Sequence, residues 1–377
     1  CIVARSQEIK DIGIPMGVPY FRIKDILRTH KSVLFSGNMP LYRDVSRRVF
    51  DVVRREVPVV EQYSVDEAFF IIPPNQDPEQ FARALKDTIE LTVGVPVSIG
   101  VASSKTQAKY ASTVAKKTDG VCVCTNQRWI EQVSEIGLES VWGVGGGLAK
   151  RFRSHGLYSV ADLLQTSPDR VQTIFGVIGK RLQAELQGSA VSQVEQKRPL
   201  QKSLMSSRSF SKTTQDMAVI KDALAYHVRH IAADLRGMDA TATTISVSLR
   251  TSRHGDFLLR GGSAESVLVA PSNDTFELLQ IASTLIDSLY EPGVPYHKVG
   301  VVVHNIQPTA ALSGNLFTSP SAGDNSLLIA MDSVNKKTGK ELITIGSRLQ
   351  TNTWQSKSQK RSPAYTTRWT DIANVSA

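Results

Sequence analysis

Apolar and polar positions in the first 125 residues alternate between short apolar runs and amphipathic stretches. Residues 78–91 place apolar side chains at helical spacing behind a group of acids, which predicts a helix. Ser103 and Ser104 can cap a second helix that runs to about residue 117. Apolar runs bounded by Pro or polar residues predict strands at residues 57–60, 68–72, 95–101 and 121–124.

The pattern changes twice in the rest of the chain. From residue 128 to 190, glycines separate short helical stretches, and residues 190–202 are polar and predict a linker. Residues 203–308 then predict a small α+β module with two helices, at about 215–236 and 273–290, and four strands. These strands are predicted at residues 243–249, 257–260, 267–270 and 298–304.

The charge of the chain narrows the class of partner. A net charge of +9 in 377 residues suits a polyanion, and nucleic acid is the first candidate. No apolar run approaches the roughly 18 residues that span a bilayer, so membrane insertion is not expected. Most of the net positive charge lies between residues 336 and 368, where eight Lys or Arg accompany one acid. This pattern predicts a solvated tail, and a weak, non-specific phosphate contact is the alternative.

The cysteines and the first residues add two expectations. Cys1, Cys122 and Cys124 have no matching His or Cys cluster, so we expect small apolar fillers in a reducing cytosol rather than a zinc site. The opening Cys-Ile-Val-Ala-Arg has neither Met nor a signal-peptide pattern, and it looks like the interior of a strand. We therefore expect a fragment that lacks its beginning.

The adjacent acids Asp66 and Glu67 are the strongest chemical signal. Neighbouring side chains of a regular strand point to opposite faces, so one acid would enter an apolar core, where an unpaired carboxylate is costly. A hairpin tip or bulge removes this conflict and lets both acids reach a hydrated Mg²⁺. Taken alone, the pair fits an exposed turn better than a metal site.

The context of the pair reverses that interpretation. Four motifs follow one another in the order YSVDEAFF at residues 63–70, VSIGVASSK at 97–105, AKYA at 108–111 and AKK at 115–117. This succession resembles the palm of the Y-family DNA polymerases. Residues 331–335 and 362–368 are similar to the UmuC type of that family, and the resemblance covers nearly the whole chain.

The resemblance implies an α/β multidomain protein with the right-hand architecture of a polymerase. It has an α+β palm, small fingers, a helical thumb and an α+β little finger. Primer–template DNA and a dNTP are the implied substrates. The implied domains are fingers 1–37, palm 38–127, thumb 128–195, little finger 203–308 and a partner-binding C-terminal tail 309–377.

The resemblance also makes Asp66 and Glu67 the catalytic ligands of two Mg²⁺ ions. Two such ions, about 4 Å apart, activate a 3′-hydroxyl and stabilise the leaving pyrophosphate. The family's other catalytic Asp, and the aromatic residue that excludes ribonucleotides, are expected upstream of Cys1. A fragment without them need not extend a primer.

Two lysines are the candidates for nucleotide binding. A helix from Ser104 places Lys105, Lys109 and Lys116 on one side. Such a face is usually only solvated, but beside a carboxylate–metal pair a Lys can neutralise charge on the triphosphate. The resemblance selects Lys109 for this contact, and Lys10 for another, since relatives carry Arg at its position.

Glycines and basic residues are the candidates for DNA binding. VWGVG, which contains Gly143 and Gly145, and the following Lys150 are typical of a helix-hairpin-helix whose amides bind a phosphate. A plain αα-hairpin turn is the alternative. In the module that resembles the little finger, Arg208 and Arg250 are expected to contact the duplex backbone, although ordinary exposed strand positions fit them equally well.

The implied function is an error-prone translesion DNA polymerase of the SOS response, in the bacterial cytoplasm at the nucleoid. Leu316 and Phe317 resemble a degenerate sliding-clamp peptide, and relatives of the UmuC type work with a processed UmuD-like dimer and RecA. A non-catalytic damaged-DNA-binding protein is the alternative. A nucleotidyl cyclase-like enzyme has less support, because the glycine hairpin and the C-terminal module argue against it.

Overall fold

The computed structural model describes residues 1–133, 135–196, 199–252, 260–311, 325–338, 341–346, 354 and 358–372. The chain forms two compact units, each with its own core. The first unit comprises Cys1–Arg198 and Lys360–Ala377, and the second comprises Pro199–Gln359. No helix in these described ranges is both long and apolar enough to cross a membrane.

The first unit combines helices with two small sheets. Its helices are α1 Gln7–Asp11, α2 Tyr20–Thr29, α3 Met39–Glu56, α4 Pro78–Val93, α5 Lys105–Ala115, α6 Asn126–Gln132, α7 Gly146–Ser154, α8 Val160–Gln165 and α9 Pro168–Leu186. Its strands are β1 Val60–Gln62, β2 Ala68–Phe70, β3 Ile99–Val101 and β4 Val121–Val123. β1 and β2 pair antiparallel, whereas β3 and β4 pair in parallel.

The two predicted helices of this region are confirmed. The Asp77 side chain caps α4 by accepting the amides of Glu79 and Gln80, and Ala82, Leu85 and Ile89 are buried in the core. The Ser104 side chain caps α5 by accepting the amide of Gln107. In both cases a polar side chain satisfies amides that the first helical turn leaves without partners.

Two strand predictions differ from the structure. Residues 57–59 are not part of β1, because Val57 caps the end of α3 and Pro58 has no amide to donate to a sheet. The opening residues form no strand either. The amide of Ile2 donates to the carbonyl of Val18, and the carbonyl of Ile2 accepts from Gly17, which fastens the start of the chain to a loop.

The second unit is a five-stranded sheet with two long helices on one face. Its elements are β5 Ser203–Thr214, α10 Met217–Gly237, β6 Ala240–Thr251, β7 Gly261–Ser272, α11 Thr275–Leu289, β8 Tyr296–His304, β9 Gln307–Pro308 and α12 Ser326–Thr338. Both helices were predicted. The count of four strands omits β5, although residues 206–210 within it were expected on a strand. Of the strand predicted at 257–260, residues 257–259 lie outside the described residues.

Four apolar residues of the predicted tail, Leu328, Met331, Ile345 and Trp354, are buried in the second unit. Leu328 and Met331 of α12 pack with Ile345 on Ala225 of α10. Trp354 is 3% exposed and donates its indole N–H to Asp222 of α10. Despite its polar composition, the part of this region that the structure describes is folded.

Two ion pairs fasten the same region to α10. Arg236 contacts Asp332 at 2.8 Å, and Arg229 contacts Glu341 at 2.8 Å. The two arginine side chains are only 6% and 8% exposed, so each guanidinium depends on its acid for charge compensation.

We predict that Asp332→Asn lowers the free energy of unfolding of the second unit by about 2 kcal/mol, because Arg236 loses its charged partner in a largely buried position. Asp287→Asn is the matched control. It breaks the pair of Asp287 with Lys221 of α10, whose side chains are 51% and 39% exposed, and should cost less than about 1 kcal/mol. Urea unfolding measures both, and equal losses would contradict the prediction.

Candidate active site

The two adjacent acids lie at the tip of a hairpin, as the sequence predicts. Gln62 at the end of β1 pairs with Ala68 at the start of β2. The turn between them is closed by the amides of Tyr63 and Ser64, which donate to the carbonyl of Glu67 at 2.9 and 3.0 Å. Neither acid has to enter the core.

Ser64 orients the first acid. Its hydroxyl donates to Oδ1 of Asp66 at 2.5 Å, and the amide of Asp66 donates back to the same hydroxyl oxygen at 3.2 Å. These bonds fix the carboxylate of an exposed residue relative to the turn. Oδ2 accepts no recorded bond from the described residues, so it can face a ligand.

Two lysines of α5 contact two glutamates of the hairpin. Nζ of Lys109 lies 2.5 Å from Oε1 of Glu67, and Nζ of Lys105 lies 2.5 Å from Oε2 of Glu61. Lys116 was predicted on the same side, but α5 ends at Ala115 and Lys116 caps it. Lys105 and Lys109 therefore contact the hairpin.

Gly100 of β3 permits this arrangement. A Cβ at this position would lie 2.1 Å from the amide nitrogen of Ser112 and 2.4 Å from the carbonyl oxygen of Ala108. Since both atoms belong to the backbone of α5, no side-chain rotation could relieve the clash. Glycine thus lets α5 lie directly against the sheet.

Three aromatic side chains connect the hairpin to the glycine-rich segment. The ring centroids of Tyr63 and Phe69 lie 5.8 Å apart, and Trp142 lies 5.4 Å from each of them. Because Trp142 directly precedes Gly143, the carboxylate hairpin and the predicted phosphate-binding turn share one packed cluster.

The glycine-rich segment forms the predicted tight turn. Gly143 has a φ of 90°, which favours glycine, and the amide of Val144 donates to the carbonyl of Val141 at 3.0 Å. Gly145 then precedes α7 without a side-chain cap, and Lys150 is exposed on α7. The geometry fits a turn that presents amides to a phosphate.

Lys10 is not joined to the hairpin. It is exposed on α1, and its ammonium group donates to Oε1 of Gln7 at 3.4 Å. The structure brings Asp66, Glu67 and Lys109 together in one place, and it leaves Lys10 apart from them.

A basic groove beside the hairpin was not predicted from the sequence. Arg43, Arg47 and Arg54 of α3 line a cavity of about 350 Å³ together with residues of the hairpin, Gln62, Ser64 and Val65. The spacing of these arginines, four and seven residues, places them on one helical face, and this was the signal available in the sequence.

Acids on α3 partly neutralise the groove. Arg47 contacts both Asp44 and Asp51. The hydrogen bonds of Arg47 and Thr366 lower the pKa of the Asp44 carboxyl, so it remains ionised at neutral pH. Arg43 has no recorded acidic partner among the described residues, which makes it the cation most available to an anion.

Asp66 and Glu67 fit part of a divalent metal site. Carboxylate oxygens are the ligands that Mg²⁺ prefers, and the metal is commonly completed by waters and substrate phosphates. Within the described residues no group of three or more His, Cys, Asp and Glu side chains could hold a metal. Among the described residues, the hairpin therefore offers two candidate ligands.

The open face of the second sheet carries small and basic side chains. Ser207 of β5, Gly300 of β8, Ser248 of β6 and Ser263 of β7 stand opposite one another across four strands. In the next row, Arg250 lies directly opposite Lys298. Both side chains are exposed, so two positive charges lie next to a row of residues with small side chains.

Arg208 and Arg250 lie on opposite faces of this sheet. Arg250 alternates with the buried Leu249 and Thr251 and belongs to the open face. Arg208 is opposite the buried Val299 and in phase with Phe210, on the face that the helices cover. Leu316 and Phe317, the predicted clamp-binding pair, lie outside the described residues.

Three family models match parts of the chain, and curated relatives match nearly all of it. Residues 1–113 match the impB/mucB/samB family, residues 201–316 match the C-terminal domain of that family, and residues 325–375 match a domain of unknown function. Protein UmuC of Salmonella typhimurium strain LT2 is 32% identical over 100% of this chain and 92% of its own length. DNA polymerase IV of Treponema denticola is 24% identical over 90% of this chain and 85% of its own.

Solved structures show the same fold. A chimera of the Y-family DNA polymerases Dbh and Dpo4 has a TM-score of 0.64 at 18% identity, covering 80% of this chain and 86% of the chimera. A Dbh ternary complex has a TM-score of 0.53 at 20% identity, covering 81% of this chain and 89% of that chain. The α/β multidomain fold class predicted from the sequence is confirmed.

The family matches, together with the fold, assign the chain to the Y-family DNA polymerases. Within this class, UmuC and its relatives match the chain along its whole length. The chain belongs to the impB/mucB/samB family, and it is of the UmuC type.

We predict that Trp142→Ala lowers the free energy of unfolding of the first unit by about 2–3 kcal/mol, since the partly buried indole packs on two rings of the hairpin. Trp369→Ala is the control, because Trp369 belongs to the same unit and is 89% exposed. It should change stability by less than about 0.5 kcal/mol. If thermal unfolding gave equal shifts, the aromatic cluster would not stabilise the hairpin.

Proposed function

We propose that this chain is the catalytic part of an error-prone translesion DNA polymerase, which extends a primer opposite damaged template bases during SOS-type repair and mutagenesis. Membership of the impB/mucB/samB family supports the proposal. The observation that carries it is the contact of Glu67 with Lys109. It places an acid suited to a metal and a cation suited to a triphosphate at one hairpin tip.

Asp66 and Glu67 are proposed as the ligands of two Mg²⁺ ions. When bound, such ions activate the primer hydroxyl and neutralise charge on the phosphates. Ser64 holds the Asp66 carboxylate through Oδ1, which leaves Oδ2 to bind. The ammonium group of Lys109 compensates the charge of Glu67 in the free protein. If Glu67 held a metal ion, Lys109 would be free to neutralise charge on the triphosphate.

Further contacts to the substrates follow from the exposed cations. Lys10 is proposed as a second contact to the dNTP, supported by its charge and by its position in the family pattern. For the duplex, the turn at Gly143 and Gly145 presents amides to a backbone phosphate, and Lys150 follows it. Such contacts hold DNA without reading its sequence.

The paired cations of the second sheet favour a phosphate on its open face. Arg250 and Lys298 stand directly opposite each other, and like charges in this position destabilise a sheet. A bound phosphate would relieve the repulsion, and the adjoining row of small residues leaves room for a nucleic-acid backbone. Arg208 was expected to contribute as well, but its place on the helix-covered face favours Arg250.

We propose three protein partners on the basis of the family. They are a processed UmuD-like dimer, RecA and a sliding clamp, the last bound through Leu316 and Phe317. A cytoplasmic, nucleoid-associated location is proposed on the same ground. A nucleotidyl cyclase is not supported, because the family matches extend over both units.

We predict that Asp66→Asn in the intact gene product reduces primer extension by at least about 100-fold, because the neutral amide cannot bind a cation as the carboxylate does. Affinity for primer–template DNA should stay within about twofold, since Asp66 carries no phosphate contact. Single-nucleotide insertion and fluorescence anisotropy measure the two quantities.

Asp87→Asn serves as the control, because its side chain on α4 is 77% exposed and lies outside the hairpin. It should leave both quantities unchanged. An Asp66 variant that loses DNA binding together with insertion would indicate a structural role. A wild-type gene product that never extends a primer would overturn the polymerase proposal itself.

For the second unit, we predict that Arg250→Ala and Lys298→Ala each weaken DNA binding uniformly across sequences. Each should also reduce the slope of log affinity against log salt concentration by about one, because one phosphate contact is lost. Arg208→Ala is the matched control on the other face and should leave the slope unchanged. A slope that falls equally in all three variants would contradict binding on the open face.

A further inference from the structure

The ion pair between Lys105 and Glu61 is more buried than the neighbouring pair at the hairpin tip. The two side chains are 9% and 17% exposed, compared with 23% and 33% for the pair of Lys109 and Glu67. The ammonium group of Lys105 also lies 5.1 Å from the ring centroid of Phe69 in β2. A charge so far from water is costly without a partner, so this pair is poorly suited to opening during turnover.

Glu61 joins three segments of the first unit. It lies in β1 opposite Phe69, it contacts Lys105 of α5, and its Oε2 accepts the amide of Glu195 at 2.7 Å. Glu195 belongs to the segment that leaves α9. The carboxylate therefore fixes the base of the hairpin to α5 and to that segment simultaneously.

Lys105 and Lys109 lie one helical turn apart and contact opposite ends of the hairpin. Lys105 meets the base through Glu61, and Lys109 meets the tip through Glu67. In the proposed reaction Lys109 has to exchange Glu67 for a triphosphate. During this exchange the tip contact is lost, and α5 needs another contact to keep its register with the hairpin.

We propose that the Lys105–Glu61 pair is a permanent fastener that positions Lys109 against the carboxylate hairpin while Lys109 changes partner. Lys105 and Glu61 are thus positioning residues that do not touch the substrate. This inference rests on the proposed polymerase function, since the exchange at Lys109 is part of that function. Phe69 supports the fastener by covering the ammonium group of Lys105.

The test is a double-mutant cycle in the intact gene product with Lys105→Met, Glu61→Gln and both together. Each single variant should lower kcat for single-nucleotide insertion about 10- to 100-fold, because small misplacements of a catalytic group have effects of this size. DNA affinity should stay within about twofold. The double variant should lose less than the product of the single losses, since neither partner remains buried and unpaired.

A second measurement does not depend on activity. Hydrogen exchange of the amides in residues 60–70 should become faster in both single variants in the absence of substrate, while exchange in α4 stays unchanged. Arg83→Met is the control, because its pairs with Asp119 and Glu79 are exposed. It should alter neither insertion nor exchange of the hairpin. If Lys105→Met fails to fold, Lys105→Arg keeps the charge and should retain most of the insertion rate.

The outcomes separate the two proposals. If the wild-type protein inserts nucleotides and both single variants match it within twofold, the fastener is excluded. Uniformly faster exchange throughout the first unit would overturn it as well, because the pair would then be a general stabiliser. If the wild-type protein inserts no nucleotide, the polymerase proposal fails, whereas faster exchange confined to residues 60–70 would still support the fastening of the hairpin.

Discussion

The close approach of α5 to β3 at Gly100 is the constraint on which the geometry of the site depends. Backbone atoms of Ser112 and Ala108 occupy the space that any Cβ at this position would need. The distance between helix and strand is therefore set by backbone contact and not by side chains that could repack. At this distance, Lys105 and Lys109 on two successive turns of α5 contact Glu61 and Glu67 of the neighbouring hairpin. The helical repeat sets the spacing between the two lysines.

Local features of the site were predictable from the sequence because short-range physics decides them. Two adjacent acids cannot both avoid the core in a regular strand, so a turn was required at Asp66 and Glu67, and the structure has one. Ser104 was identified as a cap for the same kind of reason. The partner of Lys105 was not predictable, because its contact with Glu61 joins residues 44 positions apart and depends on the approach at Gly100.

The face of the second sheet on which Arg208 lies could not be predicted from the sequence, for a different reason. In a strand, the face on which a side chain lies can be predicted when apolar and polar residues alternate. β5 carries mainly Ser, Thr and Lys, and Phe210 is its one fully buried apolar side chain. Without that alternation, Arg208 could be assigned to either face. In β6, by contrast, Ile245, Val247 and Leu249 define the buried face and assign Arg250 to the open one.

The C-terminal region shows how few residues can order a polar segment. Its composition predicts a solvated tail, yet Leu328, Met331 and Trp354 are buried in the second unit. Leu328 and Met331 lie three residues apart on α12 and Trp354 stands alone, so these buried positions hardly change the overall composition of the region. The last described stretch then pairs with the first unit, where Arg361 forms a bridge with Ser36 and Asn38 donates to Ser362. Because Asn38 also caps α3, the helix that leads to the carboxylate hairpin begins at a residue held by the end of the chain.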